Sequence, residues 1–312
     1  MVYAYRGNGQ TMAGRTMILR DRREWRTVLI IIAVYGGWVG VVLSYGSIPT
    51  WISVVLLAWF GAWHLSLQHE VVHGHPTRYA WLNDFIGSIP LTLWIPYFSF
   101  KREHLLHHQT PLTIPNIDSE SFYVSTECWD SAGSFKRAIY QANRTLLFRL
   151  SVWSIISTLT FMGAKVREAV LGQHNSRKAV LLHIIGVVGV VAFVNAAGMP
   201  LWLYVLGVVY GGRILNMLRP FAEHEWVDGI ELRTAMVQAG PVMSLLMLNN
   251  NLHVAHHDEP GVAWYDVPAL AHRTDAYGRA ERAGLLYRGG YLEIARRYGV
   301  RPFSQPVHPA NY

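Results

Sequence analysis

Residues 249–258 read NNNLHVAHHD and place His253, His256 and His257 at the spacing i, i+3, i+4. On a helix these three imidazoles lie on one face, because residues three and four positions apart are neighbours. Neutral imidazole is a good ligand for transition metals, so such a face is a candidate metal site. A solvated surface face would also explain one triplet, and the rest of the chain has to decide between the two explanations.

Two further stretches gather histidines in the same way: QHEVVHGH at residues 68–75 and REHLLHH at residues 102–108. Their clustered histidines are His69, His73, His104, His107 and His108. Eight of the fifteen histidines of the chain therefore lie in three short clusters. A mostly apolar chain has little other reason to gather them. We expect the fold to bring the three clusters together beside an apolar region.

The composition favours a membrane protein. The chain has 312 residues, of which 51% are hydrophobic and only 15% are charged, well below the quarter that is usual in soluble domains. The single cysteine, Cys128, excludes a disulfide framework, a cysteine-ligated zinc site and a built-in iron–sulfur cluster. The net charge of +7 does not indicate a nucleic-acid partner, because the basic residues flank apolar segments as they do in membrane proteins.

Four apolar runs, each close to the roughly 20 residues that cross a bilayer, predict membrane spans. We expect one domain over residues 1–312: a polar leader at 1–26, spans one and two within 27–67, a cytoplasmic or interfacial region at 68–178, spans three and four within 179–218, and a cytoplasmic region with the third cluster at 219–312. The spans themselves are expected at residues 27–45, 50–67, 179–197 and 201–218. The fold class is thus an all-α integral membrane protein, with four transmembrane helices and a cytoplasmic helical cap that carries the histidines.

The distribution of positive charge predicts the orientation. All 27 Lys and Arg lie in the leader, in residues 68–178, or from Arg213 onward, and the two short turns between paired spans carry none. By the positive-inside rule, both termini and all three clusters are expected to be cytoplasmic. Two weaker apolar stretches, 85–98 and 146–164, are expected to be interfacial or partly buried helices, with a full span as the alternative.

Eight imidazoles are too many for one metal ion, because zinc usually stops at four ligands. Two metals fit better, and imidazole suits iron, copper, nickel and zinc. A site at the membrane edge would meet apolar substrates, and oxidation of an unactivated C–H bond with O₂ needs a redox metal. These arguments favour a dinuclear iron site, with zinc-dependent hydrolysis as the alternative.

The spacings HxxxH, HxxHH and HxxHH around paired spans resemble those of the membrane fatty acid desaturase superfamily. The resemblance covers roughly residues 27–275, and the run NNNLHVAHHDEPGVAWYDVPA is especially similar to bacterial acyl-lipid desaturases. It implies two non-haem iron ions, O₂ as co-substrate, a fatty acyl or related lipid-like substrate, and a location in the bacterial inner membrane. Because neither an HPGG haem segment nor a cysteine cluster is present, we expect a separate electron donor of the ferredoxin or rubredoxin type.

Such proteins commonly use a ninth histidine between the last span and the third cluster, and His224 is the matching residue. The resemblance therefore implies nine metal ligands: His69, His73, His104, His107, His108, His224, His253, His256 and His257. His75 follows the first cluster but would point away from its face, so we expect it to support the site without binding metal.

Neighbouring acids are expected to accept hydrogen bonds from some of the metal-bound rings. The candidates are Glu70, Glu103, Glu223 and Asp258, and the asparagines at 249–251 are alternatives. His64 lies inside a predicted span and is a functional candidate on that ground. His174, His272 and His308 are expected to be exposed.

Two alternative functions remain at this point. A hydroxylase or ketolase acting on an alkyl or carotenoid substrate would use the same metal centre. It would differ in transferring oxygen to the substrate radical. A membrane metal transporter or sensor is more remote, because its ligands should lie near the middle of the bilayer, whereas these clusters flank the spans.

Overall fold

The computed structural model describes residues 24–229 and 232–310. The predicted leader lies outside this part of the chain except for its last three residues. The described residues form sixteen α-helices and two short strands. The helices are α1 Trp25–Leu43, α2 Thr50–Val72, α3 Ala80–Ser88, α4 Tyr97–His107, α5 Thr126–Asp130, α6 Ser134–Ala142, α7 Leu146–Phe148, α8 Ser154–Val170, α9 Ser176–Ala196, α10 Leu201–Tyr204, α11 Gly212–Met217, α12 Pro241–Leu246, α13 His253–Asp258, α14 Val267–Arg273, α15 Ala276–Arg282 and α16 Gly290–Tyr298.

The helices α1 and α2 form the predicted hairpin. Both are long and apolar enough to cross a membrane. The turn between them uses Gly46 at a φ of 88°, which only glycine adopts without strain. Pro49 then precedes the first residue of α2. The helix α2 continues past the predicted end at residue 67 to Val72, so it carries the start of the first histidine cluster directly out of the span.

The second pair, α9 and the segment Leu201–Met217, differs from its prediction in length. The helix α9 belongs to a candidate span. The segment Leu201–Met217, at 17 residues, is a shorter apolar helix. A π-helical segment, Val205–Gly211, joins α10 to α11. The segment packs on α2 at very short range, since a Cβ built on Gly61 would lie 2.6 Å from the carbonyl oxygen of Val208. Small residues of this kind allow close helix packing inside membranes.

The fourth helix that is long and apolar enough to span is Leu146–Val170, which contains α7, a π-helical segment at Arg149–Trp153 and α8. The contacts near its two ends indicate how this helix lies relative to the membrane. At its start, the amide of Leu147 donates to the carbonyl of Gly299. Near its end, the Lys165 ammonium contacts the carboxylate of Glu103, which lies in α4 beside the second histidine cluster. Both ends therefore contact the part of the molecule that carries the histidines, as a helix lying along the membrane surface would.

The remaining elements form the cap. The strands β1 Met236–Val237 and β2 Leu286–Tyr287 pair in parallel. One apolar core, which includes Phe221 and Ile294, lies against this pair, and a second packs α13 on α14 and α15 through Leu252 and Leu270. The described part of the chain is thus predominantly helical, with apolar helices on one side and a helical cap on the other, as the fold-class prediction states.

Candidate metal centre

The first histidine cluster lies at the C-terminal end of α2. His69 is on the helix and His73 is the residue that ends it. In the second cluster, His104 and His107 are on α4 and His108 ends that helix. Helical spacing therefore aims the rings of each cluster to one side, as the sequence predicts.

The third cluster and the ninth histidine complete the site. All three clustered histidines of this part are on α13, whose first residue is His253. His224 lies in the extended segment after α11, where it forms a bridge with Thr234. Four elements therefore present the nine rings: the end of α2, the short helix α4, the cap helix α13 and the extended segment that contains His224.

The nine imidazoles fall into two groups, and within each group the nitrogens lie within 4.8 Å of one another. Neighbouring Nε2 atoms are as close as 2.9 Å for His73 and His104 and 3.1 Å for His108 and His256. Two nitrogens at right angles on a metal at ~2.1 Å would be ~3.0 Å apart. The two groups are His69, His73, His104, His108 and His256, and His107, His224, His253 and His257.

The hydrogen bonds that two of the rings make through Nδ1 leave their Nε2 atoms available for a cation. The Nδ1–H of His224 donates to the carbonyl of Arg233 at 3.3 Å, and the Nδ1–H of His253 donates to Asn250 Oδ1 at 2.9 Å. In a neutral ring the other nitrogen then carries a lone pair. The two Nε2 atoms face each other at 3.1 Å, an arrangement that is repulsive unless a positive charge lies against both. The donor set therefore fits a metal ion.

Two carboxylates that the sequence interpretation missed orient rings of the second cluster. His107 Nδ1 lies 2.7 Å from Asp118, and His104 Nδ1 lies 2.7 Å from Glu120. Asp118 is itself fixed by the amide N–H of Thr113 at 2.8 Å. The Nε2 of His107 is buried without a hydrogen-bond partner among the described residues. Hydrogen bonds of this kind set the tautomer of metal-binding histidines.

Burial keeps most of the rings neutral. Desolvation, with repulsion from neighbouring rings, holds the pKa of His73 and His256 well below the usual value. The same causes lower the pKa of His108 to about 2. Because a metal ligand has to be deprotonated, these rings are ready to bind without first losing a proton. His107 differs, since Glu120 and Asp118 outweigh the effect of burial and raise its pKa to about 9.

Of the four acids expected to contact metal-bound rings, only Glu223 lies near one, with Oε1 3.5 Å from His253 Nδ1. The other three candidates pair elsewhere. Glu70 accepts from the amide of Trp264 at 2.9 Å, Glu103 pairs with Lys165, and Asp258 pairs with Arg279. Adjacency in sequence misled here, because a residue next to a ligand on a helix points about 100° away from it. Asp118 and Glu120 could have been noticed as an acidic run in the polar segment after the second cluster.

The other histidines lie outside both groups. His75 bonds to Glu24 at 2.7 Å through Nδ1, which agrees with a supporting role. His64 is fully buried in α2 and packs edge-on against the ring of Tyr35. The expectation of an exposed His308 was wrong, since this residue is buried with Nε2 3.2 Å from Thr113 Oγ1. His174 and His272 are exposed.

The two groups are adjacent, because the ring centroids of His108 and His257 are 4.4 Å apart. The arrangement offers nitrogen ligands for two neighbouring ions. Carboxylates contact the Nδ1 atoms of two of these rings. Such a set suits a transition metal and disfavours magnesium or calcium, which prefer oxygen ligands.

Comparison with known proteins agrees with this chemistry. The sequence model of the fatty acid desaturase family matches residues 45–290. A stretch of 84 residues is 31% identical to the omega-3 fatty acid desaturase fat-1 of Caenorhabditis elegans, and this stretch is 27% of the present chain and 21% of that relative. The match thus spans about a fifth of the length of this curated relative. No solved structure matches the chain.

Proposed function

The chain belongs to the fatty acid desaturase family, and from this premise we propose that it desaturates a fatty acyl or related lipid-like chain with two iron ions, O₂ and electrons from an external carrier. In the overall reaction, the acyl chain loses two hydrogens from neighbouring carbons. One O₂, two electrons and two protons, together with these hydrogens, become two water molecules. The family supports an oxidoreductase that acts on lipids, and the metal, the oxidant and the donor are part of the proposal.

The nine histidines would hold the metals, one ion in each of the two groups. When bound, a redox-active iron pair would supply the oxidising power needed to break unactivated C–H bonds. The observation that carries this assignment is the contact between the Nε2 atoms of His224 and His253 at 3.1 Å. Both of their Nδ1 atoms already donate to oxygen acceptors, so a cation is the partner that makes the contact favourable.

The protein positions the metal-binding rings and shields the space between them from water. Asp118 and Glu120 fix the tautomer and direction of two rings of α4. Asn250 links the first and third clusters, because its side chain contacts His69 and His253. Since five of the nine rings are buried, bulk water is largely excluded from the space between them.

The position of the site beside the spans supports a lipid substrate. His69 is on α2, a helix that is long and apolar enough to cross a membrane. An acyl chain could therefore reach the rings without crossing an aqueous phase. We propose that the electron donor, of ferredoxin or rubredoxin type, approaches from the cytoplasmic face of the cap in the bacterial inner membrane.

The direct test is expression in a host whose lipids lack unsaturated chains, followed by mass spectrometry of the fatty acids. The expected product is two mass units lighter than its saturated parent. A product sixteen units heavier would identify a hydroxylase, and no O₂-dependent product from any lipid would overturn the proposal. Metal analysis of the purified protein should give two irons per chain; zinc without O₂ consumption would contradict it.

A further inference from the structure

The turn between the long helix Leu146–Val170 and α9 carries three exposed cations, Arg167, Arg177 and Lys178. We call the surface formed by these three residues the basic turn. Arg177 donates to two backbone carbonyls at the end of the long helix, at 3.0 and 3.2 Å, and these neutral acceptors leave its charge unbalanced. No carboxylate of the described residues lies within ion-pair distance of any of the three cations. The basic turn is therefore a surface that attracts anions.

The one acid of this stretch has other partners. Glu168 is the only Asp or Glu between residues 166 and 178. Its carboxylate lies 2.7 Å from the Lys165 ammonium and 3.0 Å from the Arg102 guanidinium. Lys165 is buried and also contacts Glu103. These four side chains, two positive and two negative, form a network whose charges cancel, so none of its acids neutralises the basic turn.

Exposed apolar side chains lie among and beside the three cations. Val170 and Leu171 are within the turn, Leu181 and Leu182 follow it, and all four are at least 40% exposed. A stretch that is long and apolar enough to cross a membrane begins at residue 173. Cations next to exposed apolar groups at the end of a span are typical of the membrane–water interface, where the phosphates of lipid head groups lie. We expect the basic turn at this level.

Arg102 connects the basic turn to the metal centre. Its guanidinium donates to the backbone carbonyl of His174, inside the turn, at 3.3 Å, and to Glu168 of the long helix at 3.0 Å. Arg102 itself is on α4, two residues before His104. It thus joins the turn, the long helix and α4 at one point. A shift of the turn would therefore move α4 and the rings of the second histidine cluster.

We propose that the basic turn is a docking surface for anionic membrane lipid, whose phosphates contact Arg167, Arg177 and Lys178, and that lipid bound there stabilises the iron-loaded position of α4. The second part rests on the proposed function, because it names a regulator of that metal centre. An acidic protein matches the surface less well, since it would leave the apolar side chains among the cations in water. A membrane of anionic lipid covers the apolar side chains and neutralises the cations.

The first experiment measures lipid binding apart from catalysis. The full-length protein in detergent is titrated with fluorescent phosphatidylglycerol, which is anionic, and with phosphatidylcholine, which has no net charge. Arg167→Gln combined with Lys178→Gln removes two exposed charges that have no ion-pair partner among the described residues. Arg296→Gln combined with Arg301→Gln is the matched control, because these two arginines are exposed in the cap.

We expect the double variant of the turn to bind phosphatidylglycerol about tenfold or more weakly, since each cation near an anionic lipid surface contributes about fivefold. Its affinity for phosphatidylcholine, and both affinities of the control, should stay at the wild-type values. An unchanged preference for phosphatidylglycerol in the turn variant would overturn the surface. Displacement of the labelled lipid by inorganic phosphate as readily as by phosphatidylglycerol would show a site for a soluble anion and overturn the lipid assignment.

The affinity for iron tests the link to α4 without using activity. If phosphatidylglycerol raises the affinity for iron, iron raises the affinity for phosphatidylglycerol by the same factor, because binding linkage is reciprocal. We expect a factor of about five or more, measured by competition with a chelator in lipid discs with and without phosphatidylglycerol. Arg102→Gln should keep the lipid preference and lose this factor. An iron affinity that phosphatidylglycerol leaves unchanged in the wild type, or raises equally in Arg102→Gln, would overturn the link.

Activity then separates this inference from the proposed function. A charge-dependent preference for phosphatidylglycerol in a protein that desaturates no lipid would support the docking surface and refute the desaturase. Desaturation of one fixed substrate at the same rate in vesicles with and without phosphatidylglycerol would support the proposed function and overturn the regulation by lipid.

Discussion

At the scale of single residues, the two nitrogens of His107 have different surroundings. Nδ1 lies 2.7 Å from the buried carboxylate of Asp118, whereas Nε2 has no hydrogen-bond partner among the described residues. A ring whose Nδ1 is held by a carboxylate is suited to bind a metal through Nε2. At His224 and His253 as well, Nδ1 contacts an oxygen acceptor, which leaves Nε2 for the metal.

We expect His107→Ala and His256→Ala each to abolish desaturation while the protein still inserts into membranes. Each change removes one nitrogen from a different group, and neither residue lies in a span. Fatty acid profiling and membrane fractionation measure the two properties. His174→Ala, at an exposed position, is the control and should keep full activity. Full turnover by either variant would contradict the ligand assignment.

Asp118 allows a finer test of ring orientation. Asp118→Asn keeps the size of the side chain but weakens its acceptance of the His107 Nδ1–H. We expect the affinity for iron to fall ~10- to 100-fold, which is typical when such a partner is lost. Competition with a chelator measures the affinity. Asp130→Asn, at an exposed position, should leave it unchanged, and equal affinities in all three proteins would refute the role.

At the scale of elements, α2 and the segment Leu201–Met217 approach each other backbone to backbone. Gly61 faces the backbone of Val208 and Gly212, and a methyl group there cannot be accommodated by moving a side chain. This contact holds the helix that carries His69 and His73, so its geometry supports the metal centre from within the bilayer.

We expect Gly61→Ala to reduce the free energy of unfolding by about 1–3 kcal/mol, the usual cost of overpacking. Gly189→Ala in α9 is the matched control, because its Cβ would meet no atom within 4 Å. The control should be neutral or slightly stabilising, since alanine favours helix. Thermal unfolding in detergent measures both, and an unchanged midpoint for Gly61→Ala would show that the helices are less tightly packed than described.

At the scale of the whole molecule, the main question is how the long helix Leu146–Val170 lies relative to the bilayer. Its length and composition would permit a crossing. Its contacts with Gly299 and Glu103 place both ends near the cap. We infer that it lies along the membrane surface, which leaves an even number of crossings and both ends of the described chain on the same side of the membrane.

Thiol labelling tests this topology. In a Cys128→Ser background, Gln141→Cys and Gln173→Cys flank the long helix, and Asn195→Cys lies near the turn between the second pair; all three positions are exposed. A membrane-impermeant reagent applied outside the cell should label only Asn195→Cys. Labelling of exactly one of the two flanking positions from outside would show that the helix crosses the membrane.

The sequence by itself determined the membrane class, the first pair of spans and the nine histidines that the fold gathers, because apolar run length and helical spacing are local properties that survive any tertiary arrangement. It did not determine the partners of the rings: Asp118 and Glu120 lie beyond the second cluster in the chain, and Asn250 contacts rings from two clusters. Only the tertiary structure divided the nine rings into two groups and buried His308. These features depend on contacts between segments far apart in the chain, which no local pattern encodes.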